Sequence, residues 1–308
     1  MNTTDESRAY KDSTALMAAA TARVKTTAVA TGEDRAGLMR RFVFDRFLAR
    51  VFAHPTSPWV LKGGSAVLAR VHDARTTKDI DLLHQLGNID AAVAALRAVL
   101  DVDMGDHFRF VITKVDKDVG GMAQPNVDGA RVNIDAYVGT GQYGNFHVDL
   151  VTGSLMTADP EVRPATSIDV PGLTAPLLRL YPVVDHIADK LCAIQALYGE
   201  DQRPSSRYRD LVDLVVFAIT EDIEGAQLTT AILGEWTHRS MVGEPRFDPP
   251  VEFERAYPPI ARRVPRCAAH TAYADAAALV SAMLAPALDG TATGRRWVAA
   301  TTAWQPPA

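Results

Sequence analysis

The chain is poor in cysteine, with only Cys192 and Cys267 among its 308 residues. Two cysteines far apart in the sequence fit a reduced cytoplasm better than a disulfide framework, and we interpret both as buried thiols. No apolar run reaches the length that spans a bilayer. The polar, mixed-charge residues 1–12 do not resemble a secretory signal. We therefore predict a cytoplasmic protein with no membrane association.

The chain also lacks an excess of basic residues, because its formal net charge is −5. Proteins that bind along a nucleic-acid duplex are more often basic, so tight nonspecific binding to duplex DNA is disfavoured. A local basic cleft is still compatible with this charge, since the potential depends on where the charges lie. Hydrophobic residues make up 47%, which excludes disorder across the whole chain and allows a sizeable core.

The pattern along the chain predicts an α+β fold in four segments. Residues 1–54 read as N-terminal helices, and residues 55–155 as a core that begins β-α-β and continues with further strands. Residues 156–180 are rich in proline and read as a linking segment. Residues 181–308 form a helical C-terminal domain, whose tail from Gly290 is expected to be loosely ordered.

A glycine turn, Leu61-Lys62-Gly63-Gly64-Ser65, opens onto a helix of small residues. It matches neither the Walker phosphate loop nor the dinucleotide fingerprint. Glycine lets the backbone approach a phosphate closely, and the first N–H groups of a helix attract anions. We therefore predict that Gly64 and Ser65 bind nucleotide phosphates. The alternative is a tight turn with a serine cap.

The next predicted strand carries two acids, Asp79 and Asp81, on either side of Ile80. Side chains at i and i+2 of a strand project to the same side, so the two carboxylates would lie together. Adjacent carboxylates repel unless a cation lies between them, and a hard ion such as Mg²⁺ or Mn²⁺ suits such oxygen ligands. This indicates phosphoryl or nucleotidyl transfer, although Asp-x-Asp also occurs in glycosyltransferases and at solvated strand ends.

The order strand, Gly-Gly-Ser, helix and then Arg75-Thr76-Thr77-Lys78-Asp79-Ile80-Asp81-Leu82 resembles the polymerase-β-type nucleotidyltransferase fold. More specifically, it resembles the AbiEii/AbiGii family of nucleotidyltransferase-like toxins, to which the mycobacterial MenT toxins are similar. The resemblance covers residues 59–217. It implies an α+β polymerase-β-type nucleotidyltransferase core. The N-terminal helices, and the helical C-terminal domain beyond Ile219, rest on the general sequence pattern only.

A third acid would complete a metal clamp, as two-metal chemistry requires. The resemblance favours Asp149, because family members carry a strand similar to Phe146-His147-Val148-Asp149. Asp135 on a neighbouring predicted strand is the rival. Asp79, Asp81 and Asp149 are thus the predicted metal ligands, whereas His147 is expected to be a strand-end residue.

Two later helices supply further residues to the predicted site. The resemblance implies that Lys190 contacts the nucleotide phosphates and that Asp210 is catalytic, together with Asp79 and Asp81. Asp210 would then be a candidate base for the attacking hydroxyl, and Asp213 a structural residue. The alternative for Lys190 and Asp210 is a salt bridge between helices.

Several basic side chains belong to the same predicted cleft. Lys62, Arg75 and Lys78 are expected to bind the nucleotide with Lys190, and His186 is a weaker candidate for a nucleotide contact. The arginines of the second N-terminal helix are expected to form a solvated face rather than an RNA contact: Arg40, Arg41, Arg46 and Arg50.

By resemblance, the chain is a toxin of a bacterial toxin–antitoxin or abortive-infection system. It would add NMP from an NTP to an RNA acceptor, the 3′ end of tRNA in particular, with a cognate antitoxin as partner. Thr77 is a candidate site of inactivating phosphorylation, because a phosphate there would oppose NTP binding. Two alternatives are a nucleotidyltransferase that modifies a protein or small-molecule hydroxyl, and a non-catalytic binding module.

Overall fold

A computed structural model describes residues 9–71, 74, 77, 79–117, 126–165 and 168–306. Its helices are α1 (Ser13–Thr31), α2 (Arg35–Val51), α3 (Gly63–Arg70), α4 (Ile89–Leu100), α5 (Val183–Gln195), α6 (Tyr208–Thr220), α7 (Gly225–His238), α8 (Phe253–Ala256), α9 (Pro258–Ala261) and α10 (Tyr273–Leu288), with a 3₁₀ helix at Pro265–His270. Its strands are β1 (Trp59–Lys62), β2 (Ile80–His84), β3 (Phe108–Asp116), β4 (Asp128–Val138), β5 (Gly141–Thr152), β6 (Glu161–Pro164), β7 (Leu177–Leu180), β8 (Ile223–Glu224), β9 (Arg296–Val298) and β10 (Ala303–Gln305). The predicted α+β class is confirmed.

Seven strands form one mixed sheet in the order β3-β4-β5-β2-β1-β7-β6. The central strand β2 runs antiparallel to β1 and parallel to β5. Successive side chains of a strand point to opposite faces of the sheet. The apolar residues Ile80 and Leu82 therefore enter the core, while Asp81 between them points to the other face.

The N-terminal helices pack on one face of this sheet. Asp12 and Asp34 accept hydrogen bonds from the first turns of α1 and α2, which fixes where these helices begin. Phe42 and Phe47 of α2 join the sheet residues in one buried apolar cluster. The N-terminal helices thus share a core with the sheet.

Two arginines of α2 are buried beneath this layer, which corrects the prediction of a solvated face for Arg46 and Arg50, whereas Arg40 is exposed as predicted. Arg50 donates hydrogen bonds to both carboxylate oxygens of Asp106, at 2.7 and 3.1 Å, and Arg46 donates to one of them at 2.9 Å. All three side chains are nearly inaccessible. A buried charge needs a partner, and Asp106 supplies it for both arginines.

Residues 156–180, predicted as a linking segment, contribute strands β6 and β7 to the edge of the sheet. Both strands have four residues, too few for a periodic signal. Pro164 ends β6, which is the edge strand, where a missing backbone N–H is tolerated. The prolines therefore delimit short strands in this segment.

The C-terminal helices form a second apolar core around α5, α6, α7 and α10, and Val67 of α3 reaches into it. The tail after Gly290, predicted to be loosely ordered, forms β9 and β10 of a three-stranded sheet with β8. Trp297 anchors this tail, because its side chain is fully buried and its Nε1–H donates to the Ala218 carbonyl at 2.7 Å.

Candidate active site

A cleft of about 380 Å³ lies between one end of the sheet and the C-terminal helices. One wall carries Gly63, Gly64, Thr77, Asp79 and Asp81. The opposite wall is formed by α5 and the beginning of α6, and its residues are Asp189, Lys190, Ser206, Arg207, Tyr208, Arg209 and Asp210. The structure therefore brings together two predicted acids, the glycine turn, and the Lys190 and Asp210 side chains.

Ser65 fixes the backbone that carries the two acids. Its hydroxyl donates to the Asp79 carbonyl at 2.9 Å and accepts from the Asp81 N–H at 3.3 Å. The strand begins at Ile80, so Asp79 lies just before it and Asp81 within it. The Ser65 side chain is thus used for positioning these residues.

Gly63 makes room for the Asp81 carboxyl. Its φ is +56°, a left-handed conformation that glycine adopts readily. A Cβ added there would lie 2.1 Å from Asp81 Oδ2. Glycine at this position is therefore required by both backbone conformation and the close approach of the acid.

Four charged residues form one row across the sheet, in the order Lys62, Asp81, Asp149, Arg131. Lys62 pairs with Asp81, Asp81 with Asp149, and Asp149 with Arg131 in the strand register. Neighbouring strands are about 4.8 Å apart, so each side chain of the row adjoins the next. Asp149 therefore lies directly beside Asp81, as the predicted third acid would.

Asp135, the rival third acid, lies elsewhere on the sheet. It pairs with Asn145, four residues along β4 from the Arg131–Asp149 pair. At about 3.3 Å per residue this is a separation of roughly 13 Å. The register therefore favours Asp149 as the neighbour of Asp81.

Arg131 neutralises Asp149. Its Nε and one terminal nitrogen donate to the two carboxylate oxygens at 2.8 and 2.9 Å. Such two-pronged pairs are strong and fixed in geometry. The hydrogen bond to Asp149 raises the pKa of Arg131, and Asp79 and Asp81 act in the same direction.

His147 makes a contact that its expected strand-end position did not suggest. It lies inside β5 rather than at its end, and its Nε2 is 2.8 Å from Asp79 Oδ1. His147 therefore holds one of the two acids of the cleft. The signal in the sequence was its spacing of two residues before Asp149, which puts both side chains on one face.

Lys190 lies at the centre of a buried network between α5 and α6. Its Nζ donates to Asp213 at 2.6 Å and to Asp210 at 3.0 Å. Arg207 also contacts Asp210. Burial opposes ionisation of Asp210, but Lys190 and Arg207 outweigh it and lower the pKa of this carboxyl. A carboxylate so stabilised is a weak proton acceptor in this arrangement.

Lys62 and Asp189 belong to a second group of polar contacts. Lys62 donates to Ser154 Oγ at 3.0 Å, lies over the Tyr181 ring and is 3.8 Å from Asp189. Arg239 donates to Asp189 at 2.6 Å. Burial opposes ionisation of Asp189, but Lys62 and Arg239 outweigh this effect and lower the pKa of the Asp189 carboxyl. Lys62, predicted to bind nucleotide, is thus engaged with protein groups.

The four remaining candidate residues are His186, Thr77, Arg75 and Lys78. His186 is buried between Tyr181 and Phe217, so it does not reach the cleft. Thr77 lies in the cleft wall, where its hydroxyl is 3.2 Å from the Asp79 carbonyl oxygen. Arg75 and Lys78 lie outside the described residues.

The carboxylates of the cleft are its candidate metal ligands. Across residues 9–71, 74, 77, 79–117, 126–165 and 168–306, no three His, Cys, Asp or Glu side chains converge as a metal-binding group. Asp79 and Asp81 nevertheless share the cleft, and Asp149 adjoins Asp81 in register. Carboxylate oxygens are the ligands that Mg²⁺ and Mn²⁺ accept, so the donor chemistry fits such an ion.

Most of the chain matches a known protein family. Residues 46–290 match the family model described as "Nucleotidyl transferase AbiEii toxin, Type IV TA system". The chain belongs to this AbiEii family. It is therefore a nucleotidyltransferase of a toxin–antitoxin family, and the predicted family and enzyme class are confirmed. A search of curated proteins found no match.

Solved structures also resemble the AbiEii chain, among them the following two. MenT4, a nucleotidyltransferase toxin from Mycobacterium tuberculosis, is 17% identical over 77% of each chain, with a TM-score of 0.50, and so supports the fold. JHP933 from Helicobacter pylori is 12% identical over 84% of this chain and 97% of that one, with a TM-score of 0.40.

Among the described residues of the AbiEii chain, no helix combines the length and the apolar character that spanning a bilayer requires.

Proposed function

We propose that this AbiEii-family chain transfers NMP from an NTP to an RNA acceptor, the 3′ end of tRNA in particular. The observation that carries this proposal is the cleft in which Asp79 and Asp81 face Lys190 and Arg207. Acids on one wall suit metal-bound phosphate, and cations on the other suit phosphate oxygens directly. The core at residues 55–155 would supply the first wall, and the helical part at residues 181–308 the second.

Asp79, Asp81 and Asp149 would hold one or two Mg²⁺ or Mn²⁺ ions. A bound ion would neutralise charge that develops on the transferred phosphate and the pyrophosphate. His147 positions Asp79, Gly63 admits the Asp81 carboxyl, and Arg131 competes for Asp149.

In the proposed reaction, the acceptor hydroxyl oxygen attacks the α-phosphorus of the NTP. A new O–P bond forms, the bond from that phosphorus to the pyrophosphate oxygen breaks, and the hydroxyl proton passes to a base. The backbone near Gly64 and Ser65 would receive the phosphates with Lys190 and Arg207, while Lys62, Arg75 and Lys78 would add positive charge.

Asp210 would act first by fixing Lys190 and Arg207 at the cleft. Its predicted role as the base for the acceptor hydroxyl requires that both cations turn to the nucleotide phosphates, which would release its carboxylate. Asp213 is buried behind Lys190 and is not part of the cleft wall, which supports a structural role.

Thr77 would be the regulatory position. A phosphate on its hydroxyl would place negative charge beside Asp79 and Asp81, where it would repel the NTP. A Thr77→Ala protein should lose sensitivity to the inactivating partner while the cleft stays intact. Equal sensitivity of this variant and the wild type would contradict the proposal.

The cognate antitoxin is the partner that a toxin–antitoxin family implies. Because NTP and tRNA are the proposed substrates, we expect the reaction to take place in the cytoplasm.

The test is transfer of label from each of the four NTPs, labelled at the α-phosphate, to total tRNA or to a protein extract. We expect a divalent ion and one preferred NTP to label tRNA. Asp79→Asn should abolish labelling, whereas Asp135→Asn, the same change on a distant part of the sheet, should retain it. Labelled protein without labelled RNA would show that the acceptor is a protein, and would contradict the proposed RNA acceptor.

A further inference from the structure

A second groove, of about 680 Å³, adjoins the cleft. The connection from α1 to α2 and the first turns of α2 form one wall, at residues 31–41. Arg263 and Pro265 form the other wall, and Leu68 and Ala74 lie between them. The groove therefore runs between the N-terminal helices and the C-terminal helical part.

The groove and the cleft share Thr77. Thr77 lies two residues before Asp79, and its hydroxyl is 3.4 Å from the Asp79 backbone nitrogen. A chain that occupied the groove would therefore arrive at the acids of the cleft. An acceptor end that followed the groove would thus reach Asp79.

The charges of the groove favour an anionic occupant. Its two acids are already engaged, because Glu33 forms an ion pair with Arg41 and Asp34 accepts from the Gly37 N–H at 2.8 Å. Arg40 and Arg263 are exposed, and neither contacts a carboxylate in the part of the chain that the structure describes. Two arginines are thus available on opposite walls.

One wall of the groove lies outside the segment that matches the family model. This wall, at residues 31–41, precedes the matched segment 46–290.

We infer that this groove binds the backbone of the RNA acceptor next to the end that enters the cleft. Arg40 and Arg263 would contact phosphates, and the apolar surface at Leu68 would lie against a base or ribose. The inference rests on the proposed function, because it assigns a binding surface for the acceptor in that reaction.

The test compares two double variants with equal loss of charge. The first is Arg40→Gln with Arg263→Gln. The control is Arg97→Gln with Arg255→Gln, which changes two exposed arginines that line neither the groove nor the cleft. RNA affinity is measured over a range of salt concentrations, and KM is measured separately for acceptor RNA and for NTP.

The groove variant should raise the KM for RNA several-fold and leave the KM for NTP unchanged. A plot of log affinity against log salt concentration has a negative slope. Loss of two phosphate contacts to single-stranded RNA should make this slope less steep by about 1.4. The control should retain the wild-type slope. Equal slopes in all three proteins, or an equal loss in the control, would overturn the inference.

The wild-type protein separates this inference from the proposed function. If it transfers NMP to RNA and the groove variant binds RNA normally, the proposed function stands and the groove assignment fails. If the wild type labels protein and no RNA, the acceptor in the proposed function is wrong and the groove assignment fails with it.

Discussion

Arg131 and Asp149 face each other on adjacent strands and form a two-pronged ion pair, with both N···O distances below 3 Å. Asp149 is also the register neighbour of Asp81. One guanidinium therefore covers both oxygens of the acid that would complete a metal site. Arg131 and a bound cation would compete for the same carboxylate.

Arg131→Gln should consequently increase the affinity for Mn²⁺ several-fold, because an ion would no longer have to displace a guanidinium from Asp149. The gain is limited by solvent, since the Arg131 side chain is 37% exposed. Binding is measured from the electron paramagnetic resonance signal of free Mn²⁺, without nucleotide. Arg109→Gln on the edge strand β3 is the matched control. Unchanged Mn²⁺ affinity in Arg131→Gln would exclude Asp149 as a ligand.

Gly63→Ala should disrupt the acid pair and lower stability. Part of the cost, about 1–3 kcal/mol, is the left-handed backbone, and the rest is displacement of the Asp81 carboxyl. Gly290→Ala separates the two causes, because Gly290 has φ +79° and no atom within 4 Å of an added Cβ. Urea unfolding and Mn²⁺ binding are measured for both. Loss of Mn²⁺ affinity should occur in Gly63→Ala alone, and equal effects would contradict this account.

Asp210 and Asp213 allow a catalytic role to be separated from a structural one. Asp210→Asn should reduce kcat by about 10²-fold or more, through misplaced cations or a lost base. Asp213→Asn makes the same change on the same helix but outside the cleft wall. It should lower the free energy of unfolding, and it should reduce kcat less than Asp210→Asn does. Equal kcat values for the two variants would show that Asp210 has no role beyond the buried network.

Much of the site could be predicted from local patterns. The spacing of Asp79 and Asp81 indicated a shared side, and the family resemblance pointed to Lys190 and Asp210. The Asp81–Asp149 neighbourhood could not be derived in this way, because β2 and β5 are far apart in sequence and pair in parallel. Only the resemblance pointed to Asp149, and only the register shows that Arg131 faces it.

Burial of polar residues was the other limit. Arg46 and Arg50 lie on a helix where basic residues usually face water, and their partner Asp106 is more than fifty residues away in the sequence. Strands β6 and β7 were missed for a different reason, because four-residue strands bounded by prolines carry no alternation. In each case the deciding interaction was long-range.

The buried Arg46–Asp106–Arg50 group predicts a pH-dependent stability. Burial opposes ionisation of Asp106, but Arg50 and Arg46 outweigh it and lower the pKa of this carboxyl below its usual value of about 4. A carboxylate with a lowered folded-state pKa contributes stability above its unfolded-state pKa, and loses it as the pH falls through the folded-state pKa. Asp106→Asn should therefore cost about 3–5 kcal/mol at pH 7, because it leaves two buried arginines without a carboxylate.

The measurement is the free energy of unfolding in urea, for the wild type and Asp106→Asn, from pH 7 to pH 3. The difference in free energy of unfolding between the two proteins should stay constant down to about pH 4 and shrink below it. Below that pH the Asp106 carboxylate of the unfolded wild type takes up a proton before that of the folded protein does. Asp135→Asn is the matched control, because its side chain lies on the other face of the sheet and outside this buried group. It should change stability little at any pH. A difference for Asp106→Asn that grew as the pH fell would have the wrong sign and would contradict a stabilising Asp106 carboxylate.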